Sequence, residues 1–133
     1  MQTVRIPAVA GQFYPADPAQ LHTQLQQFLS QVEPPAEPPP KAIIVPHAGC
    51  IYSGPIAASA YARLKAARHL ITRVVLLGPS HRVGFRGIAA SMMTAFATPL
   101  GQIPLDLEAL ELVWQLPEVS FLEQAHIQEH SLE

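Results

Sequence analysis

At 133 residues the chain is long enough for one domain with its own core. Apolar types make up 49% of it and charged types 14%, which excludes the disordered class. Eight basic against ten acidic residues leave a net charge of −2, which removes an electrostatic reason to expect nucleic acid or an anionic membrane surface as partner.

Residues 5–16 are rich in turn formers, with Pro7, Gly11 and Pro15 excluding a long regular element. A helix is expected next, with Asp17 as N-cap, Pro18 at its first position and Gln20 where a capping box places Glu or Gln. Leu21, Leu25, Phe28, Leu29 and Val32 give it one apolar face. The run EPPAEPPP at 33–40 reads as a stiff polyproline connector, with a recruiting Pro-rich ligand as the alternative. KAIIVP (41–46) and RVVLLG (73–78) are short, branched and closed by Pro or Gly, so both read as buried parallel strands. Between them a helix over 54–67 is expected, capped by Ser53 and buried through Ile56, Ala57, Ala60, Tyr61 and Leu64. The stretch 41–78 thus predicts a right-handed β-α-β unit. A strand over 87–93, a turn at TPLG (98–101) and a helix capped by Asp106, burying Leu107, Leu110, Val113 and Trp114, complete the pattern. The fold class is α/β, a mostly parallel sheet with flanking helices. The chain ends in a chemically loaded run without turn residues or a polar tail, which suggests the N-terminal part of a larger domain, 1–133.

A single cysteine, Cys50, excludes an internal disulfide and suits a reducing, cytoplasmic setting. No apolar run reaches the roughly 20 residues that span a bilayer.

The chemistry concentrates in histidines. His47 and His81 each follow one of the expected strands, in PHAG and GPSH. Side chains just past parallel strand ends line the crevice where α/β proteins build ligand sites. Two neutral imidazoles converging there are donors for iron, copper or zinc. The plainer alternative for each is a hydrogen bond to a loop carbonyl. His126 and His130 stand at the i, i+4 spacing that shares one helix face. They are not a zincin motif, because Ile127 stands where that motif needs Glu. The segment, which includes Glu129, could supply a proton-transferring imidazole or a carboxylate behind a metal ligand. A polar helix end is the alternative. Tyr52 could direct its hydroxyl into the crevice or simply pack, and Cys50 reads as core more readily than as a ligand.

The runs R-x-P-A-V-A-G-x-F-Y-P (5–15), V-P-H-A-G-x-I-Y-S-G (45–54), V-L-L-G-P-S-H (75–81), T-P-L-G with Asp106, and A-H-x-x-E-H-S-L-E (125–133) together resemble the Memo-like family, whose bacterial and archaeal members are called AmmeMemoRadiSam system protein B. The resemblance implies a fold similar to class III extradiol dioxygenases, enzymes that use non-haem Fe(II). It implies a divalent metal, iron first and copper or zinc as alternatives, on His47 and His81. Further family ligands belong to a C-terminal half and have no counterpart here, and Cys50 is not one of them. His130, or else His126, would handle protons, and Tyr52 would orient the bound group. AMMECR-type and radical SAM proteins are the implied partners. The competing expectation is a non-enzymatic module that binds a peptide or protein in a dioxygenase-like crevice.

Overall fold

The computed structural model describes residues 3–33 and 36–133, so Pro34 and Pro35 of the expected polyproline connector lie outside the described residues. The chain is mixed α/β and forms two compact units, one from the N-terminal segment to Ala8 together with Leu77–Glu133, the other Val9–Leu76. Among the described residues, no helix is long and apolar enough to cross a membrane.

The first unit carries the strands. β1 (Val4–Arg5), β2 (Ile88–Ala90), β3 (Ala95–Thr98), β4 (Gly101–Pro104) and β5 (Val119–Phe121) form two small sheets. β1 pairs parallel with β3, and β3 pairs antiparallel with β4 across the turn at Pro99–Leu100. β2 pairs parallel with β5, Ala89 opposite Ser120. The expected strand at 87–93 is therefore present in shorter form, and TPLG closes a hairpin. Gly87 enters β2 at φ +85, and a Cβ there would collide with the Glu118 carbonyl, so this position needs glycine.

Of the helices, α1 (Pro18–Ser30) and α2 (Cys50–Tyr61) belong to the second unit, α3 (Leu107–Val113) and α4 (Gln124–Ile127) to the first. α1 starts where the sequence places it, because the Asp17 carboxylate accepts the Gln20 N–H at 2.8 Å and Pro18 needs no partner. α3 starts likewise, Asp106 accepting from Ala109 N–H at 3.0 Å. Its apolar residues are less covered than expected: Leu107 and Val113 are exposed. Trp114 meets Phe121 edge-on, ring centroids 4.3 Å apart.

The second unit corrects two expectations. α2 begins at Cys50, not after Ser53, and passes into a 3₁₀ turn at Ala62–Ala67. Its start is set by tertiary contact: the Cys50 N–H donates to the Phe13 carbonyl at 2.7 Å. Phe13 is held by a tight turn in which Gly11, at φ +82, donates to the Tyr14 carbonyl. Ser53 lies inside the helix, its hydroxyl donating back to the Ala48 carbonyl at 2.8 Å. Pro55 lies inside α2 as its sixth residue, where it has no N–H to give the Ile51 carbonyl. The buried face consists of small residues, Ser53, Gly54, Ala58 and Ala62, while Ile56 and Tyr61 are exposed. The reason is close packing against α1, where the Phe28 ring occupies the space a Cβ at Gly54 would take.

The second correction concerns 41–46 and 73–78. Among the described residues neither forms a strand, and the β-α-β unit expected over 41–78 is absent. Ile44, Val74, Val75 and Leu76 are exposed. Branched residues make a segment able to pair, but a strand exists only when another lies alongside at about 4.8 Å.

Candidate metal centre

His81 follows Gly78-Pro79-Ser80 in a loop without regular structure. That loop is fastened to the turn after α4. The Glu129 carboxylate accepts the His81 N–H through Oε2 at 2.6 Å, and its Oε1 lies 2.7 Å from His81 Nδ1. Oε1 also accepts the N–H groups of His130 at 2.9 Å and Ser131 at 3.0 Å. Ser131 adds a hydroxyl donation to the Pro79 carbonyl at 2.8 Å. Gly78 permits this approach, since a Cβ there would sit 2.5 Å from Ser131 Oγ. Burial on its own would raise the Glu129 carboxyl. The donors from the His81 backbone and ring, Ser131 and His130 outweigh it and hold the group at about 2.

His130 stacks on His81, ring centroids 4.4 Å apart and planes 17° off parallel. Each offers a ring nitrogen within 4.8 Å of the other's. Metal–imidazole bonds of about 2.0–2.1 Å put neighbouring donor nitrogens roughly 3–3.4 Å apart and lie in the ring planes, so the stacked pair would have to close and also tilt apart to share an ion. His81 is the more exposed of the two and Glu129 is buried beneath them.

The segment bearing these groups is anchored by Arg5, a residue the sequence shows only as the first letter of a motif. Its guanidinium, 4% exposed, donates from Nε to the His126 carbonyl at 2.7 Å, from Nη2 to the Glu129 carbonyl, and to Glu133 Oε1 at 2.8 Å. The same Glu133 oxygen accepts the Ala8 N–H at 2.6 Å, and the guanidinium lies over the Phe96 ring. β1 thus pins the chain's last turn to the sheet.

His126 and His130 do not share a helix face. α4 ends at Ile127, and Gln128 at φ −115, ψ 11 turns the chain away. The His126 ring is buried, its Nε2 3.1 Å from the Ala89 carbonyl and its edge toward Phe96. It therefore packs as a core histidine, whereas His130 meets His81.

His47 and Tyr52 lie in the second unit. His47 is exposed in the loop that the Phe13–Cys50 bond ties down, three residues before α2. Tyr52 is exposed on the first turn of α2. Cys50, half-buried, has its thiol pushed up by desolvation, which disfavours the thiolate a metal would need.

A model of the family described as Memo-like protein matches residues 5–133. Among curated proteins, a MEMO1 family protein of Aquifex aeolicus is 43% identical over 130 residues, covering 98% of this chain and 47% of its own length. One from Sulfolobus acidocaldarius is 40% identical over 142 residues, covering 98% and 50%. Another from Methanocaldococcus jannaschii is 38% identical over 143 residues, covering 100% and 50%. The chain spans about half the length of the curated relatives it matches.

Proposed function

The chain belongs to the Memo-like protein family, and from that premise we propose that it binds a divalent metal ion through histidine, with His81 as a ligand. The observation that carries this reading is the stacked pair of His81 and His130, with ring nitrogens within 4.8 Å and a buried carboxylate behind them. Imidazole is a borderline donor that accepts iron, copper and zinc, and iron is our first choice on the family resemblance. His47 enters the ligand set on its motif, V-P-H-A-G, rather than on geometry. His130 is the neighbouring imidazole, close enough to share the ion or to move a proton beside it. Tyr52 stays in the proposal as the hydroxyl that orients a bound group; His126, engaged with Ala89, does not.

A bound ion with open positions would polarise a substrate oxygen and, if iron or copper, exchange electrons. The chain's own residues hold the imidazoles in place and keep the carboxylate off the solvent face. The dioxygenase-like fold and the AMMECR-type and radical SAM partners belong to the same proposal and rest on the resemblance. Elemental analysis of anaerobically purified protein, followed by Fe(II) titration, tests the metal. We expect stoichiometric iron that falls away in the His47→Ala, His81→Ala double variant. Unchanged metal content in that variant overturns the reading.

A further inference from the structure

We propose that Glu129 is a positioning residue that fixes the tautomer of His81, holding the proton on Nδ1 and turning the Nε2 lone pair outward as the donor atom. This rests on the metal reading for its purpose but not for its geometry.

The argument comes from what surrounds the two carboxylate oxygens. Three of their partners are backbone N–H groups, those of His81, His130 and Ser131, at 2.6, 2.9 and 3.0 Å. A backbone N–H can only donate, so a protonated carboxyl would set its own O–H against donors. The carboxylate is therefore ionised and accepts at every contact. His81 Nδ1, 2.7 Å from Oε1, must then be the donor in that bond. A neutral imidazole with its proton on Nδ1 carries its lone pair on Nε2. The backbone bond to Oε2 and the ring bond to Oε1 come from the same residue, so the carboxylate grips His81 at two points and sets its rotamer as well as its tautomer. Carboxylates that orient a ligating imidazole in this way typically change metal affinity 10–100-fold when removed.

The first measurement is made on the unaltered protein without metal, at a pH where His81 is neutral. Its ring ¹⁵N signals report which nitrogen holds the proton. We expect the proton on Nδ1; a proton on Nε2 overturns the inference. The second compares variants. Glu129→Gln keeps an amide oxygen at the Oε1 position and should keep the Nδ1–H form even though the fold is weakened. Glu129→Met should release the ring to the Nε2–H form and lower Co(II) affinity 10–100-fold, with a changed Co(II) absorption spectrum. A merely structural role would lower stability in both variants and leave the tautomer where it was, which also overturns the inference. If unaltered protein shows Nδ1–H but takes up no Co(II), the metal reading fails while the positioning geometry stands.

Discussion

The carboxylate of Glu129 should make this protein acid-sensitive in a window that a single substitution abolishes. Held at about 2 in the fold against an ordinary 4.5, the group binds protons more readily in the unfolded chain. Its contribution is then complete above pH 4.5 and lost as pH falls from there to about 2. At about 1.4 kcal/mol per tenfold difference in proton affinity, it amounts to about 3 kcal/mol at neutral pH. Glu129→Gln removes the charge and sets an amide N–H₂ against the His81 N–H that now meets Oε2 at 2.6 Å. A cost of about 3 kcal/mol is expected for losing charge-assisted bonds of this kind. Urea unfolding followed by tryptophan fluorescence is a direct assay, because Trp114 is the chain's one tryptophan and lies in the same unit as Glu129. Both proteins would be measured from pH 7 down to pH 2.5, other carboxylates cancelling in the difference. The gap should be about 3 kcal/mol at pH 7 and close as pH falls below 4.5. A gap that stays constant with pH, or one below about 1 kcal/mol at neutrality, would refute the account of Glu129 as the clamp on the His81 loop.

The Arg5 anchor should be costlier still: Arg5→Met leaves Glu133 buried without this cation and takes one donor each from the His126 and Glu129 carbonyls, for about 3–5 kcal/mol on the same fluorescence assay. Gly78→Ala forces a Cβ to 2.5 Å from Ser131 Oγ and should cost about 1–3 kcal/mol, part of which Ser131→Gly recovers in the double variant, read by thermal melting. Asp17→Ala and Asp106→Ala should each lose about 1 kcal/mol with a small drop in far-ultraviolet helix signal, since each removes one capping acceptor. In the second unit, Gly54→Ala should displace the Phe28 ring and lower the melting temperature, and a truncated ring at that position (Phe28→Leu) should tolerate the new methyl better.

Features written in neighbouring residues were legible in advance. Asp17 with Pro18, Asp106 and the TPLG turn each act through atoms within a few positions of one another, so the chemistry that starts or stops an element is contained in the run itself. The start of α2 was misplaced because its deciding bond joins Cys50 to Phe13, and Ser53, a good cap by type, was already engaged with Ala48. The same limit explains 41–46 and 73–78, whose composition reports a capacity to pair but not the presence of a neighbour. It also explains His126 and His130, where four residues of helix were too few to carry the i, i+4 relation.

The candidate site divides along the same line. His81 could be singled out as a candidate from its motif alone. That Glu129 grips it from 48 positions away, that His130 stacks on it, and that Arg5 holds the whole turn from 121 positions away came from the folded chain. Sequence determines which donors, caps and turn formers a chain owns, because these are properties of single residues and their immediate neighbours. Which nitrogen faces which oxygen is decided by packing, since a buried carboxylate is stable only where the fold surrounds it with donors from distant segments.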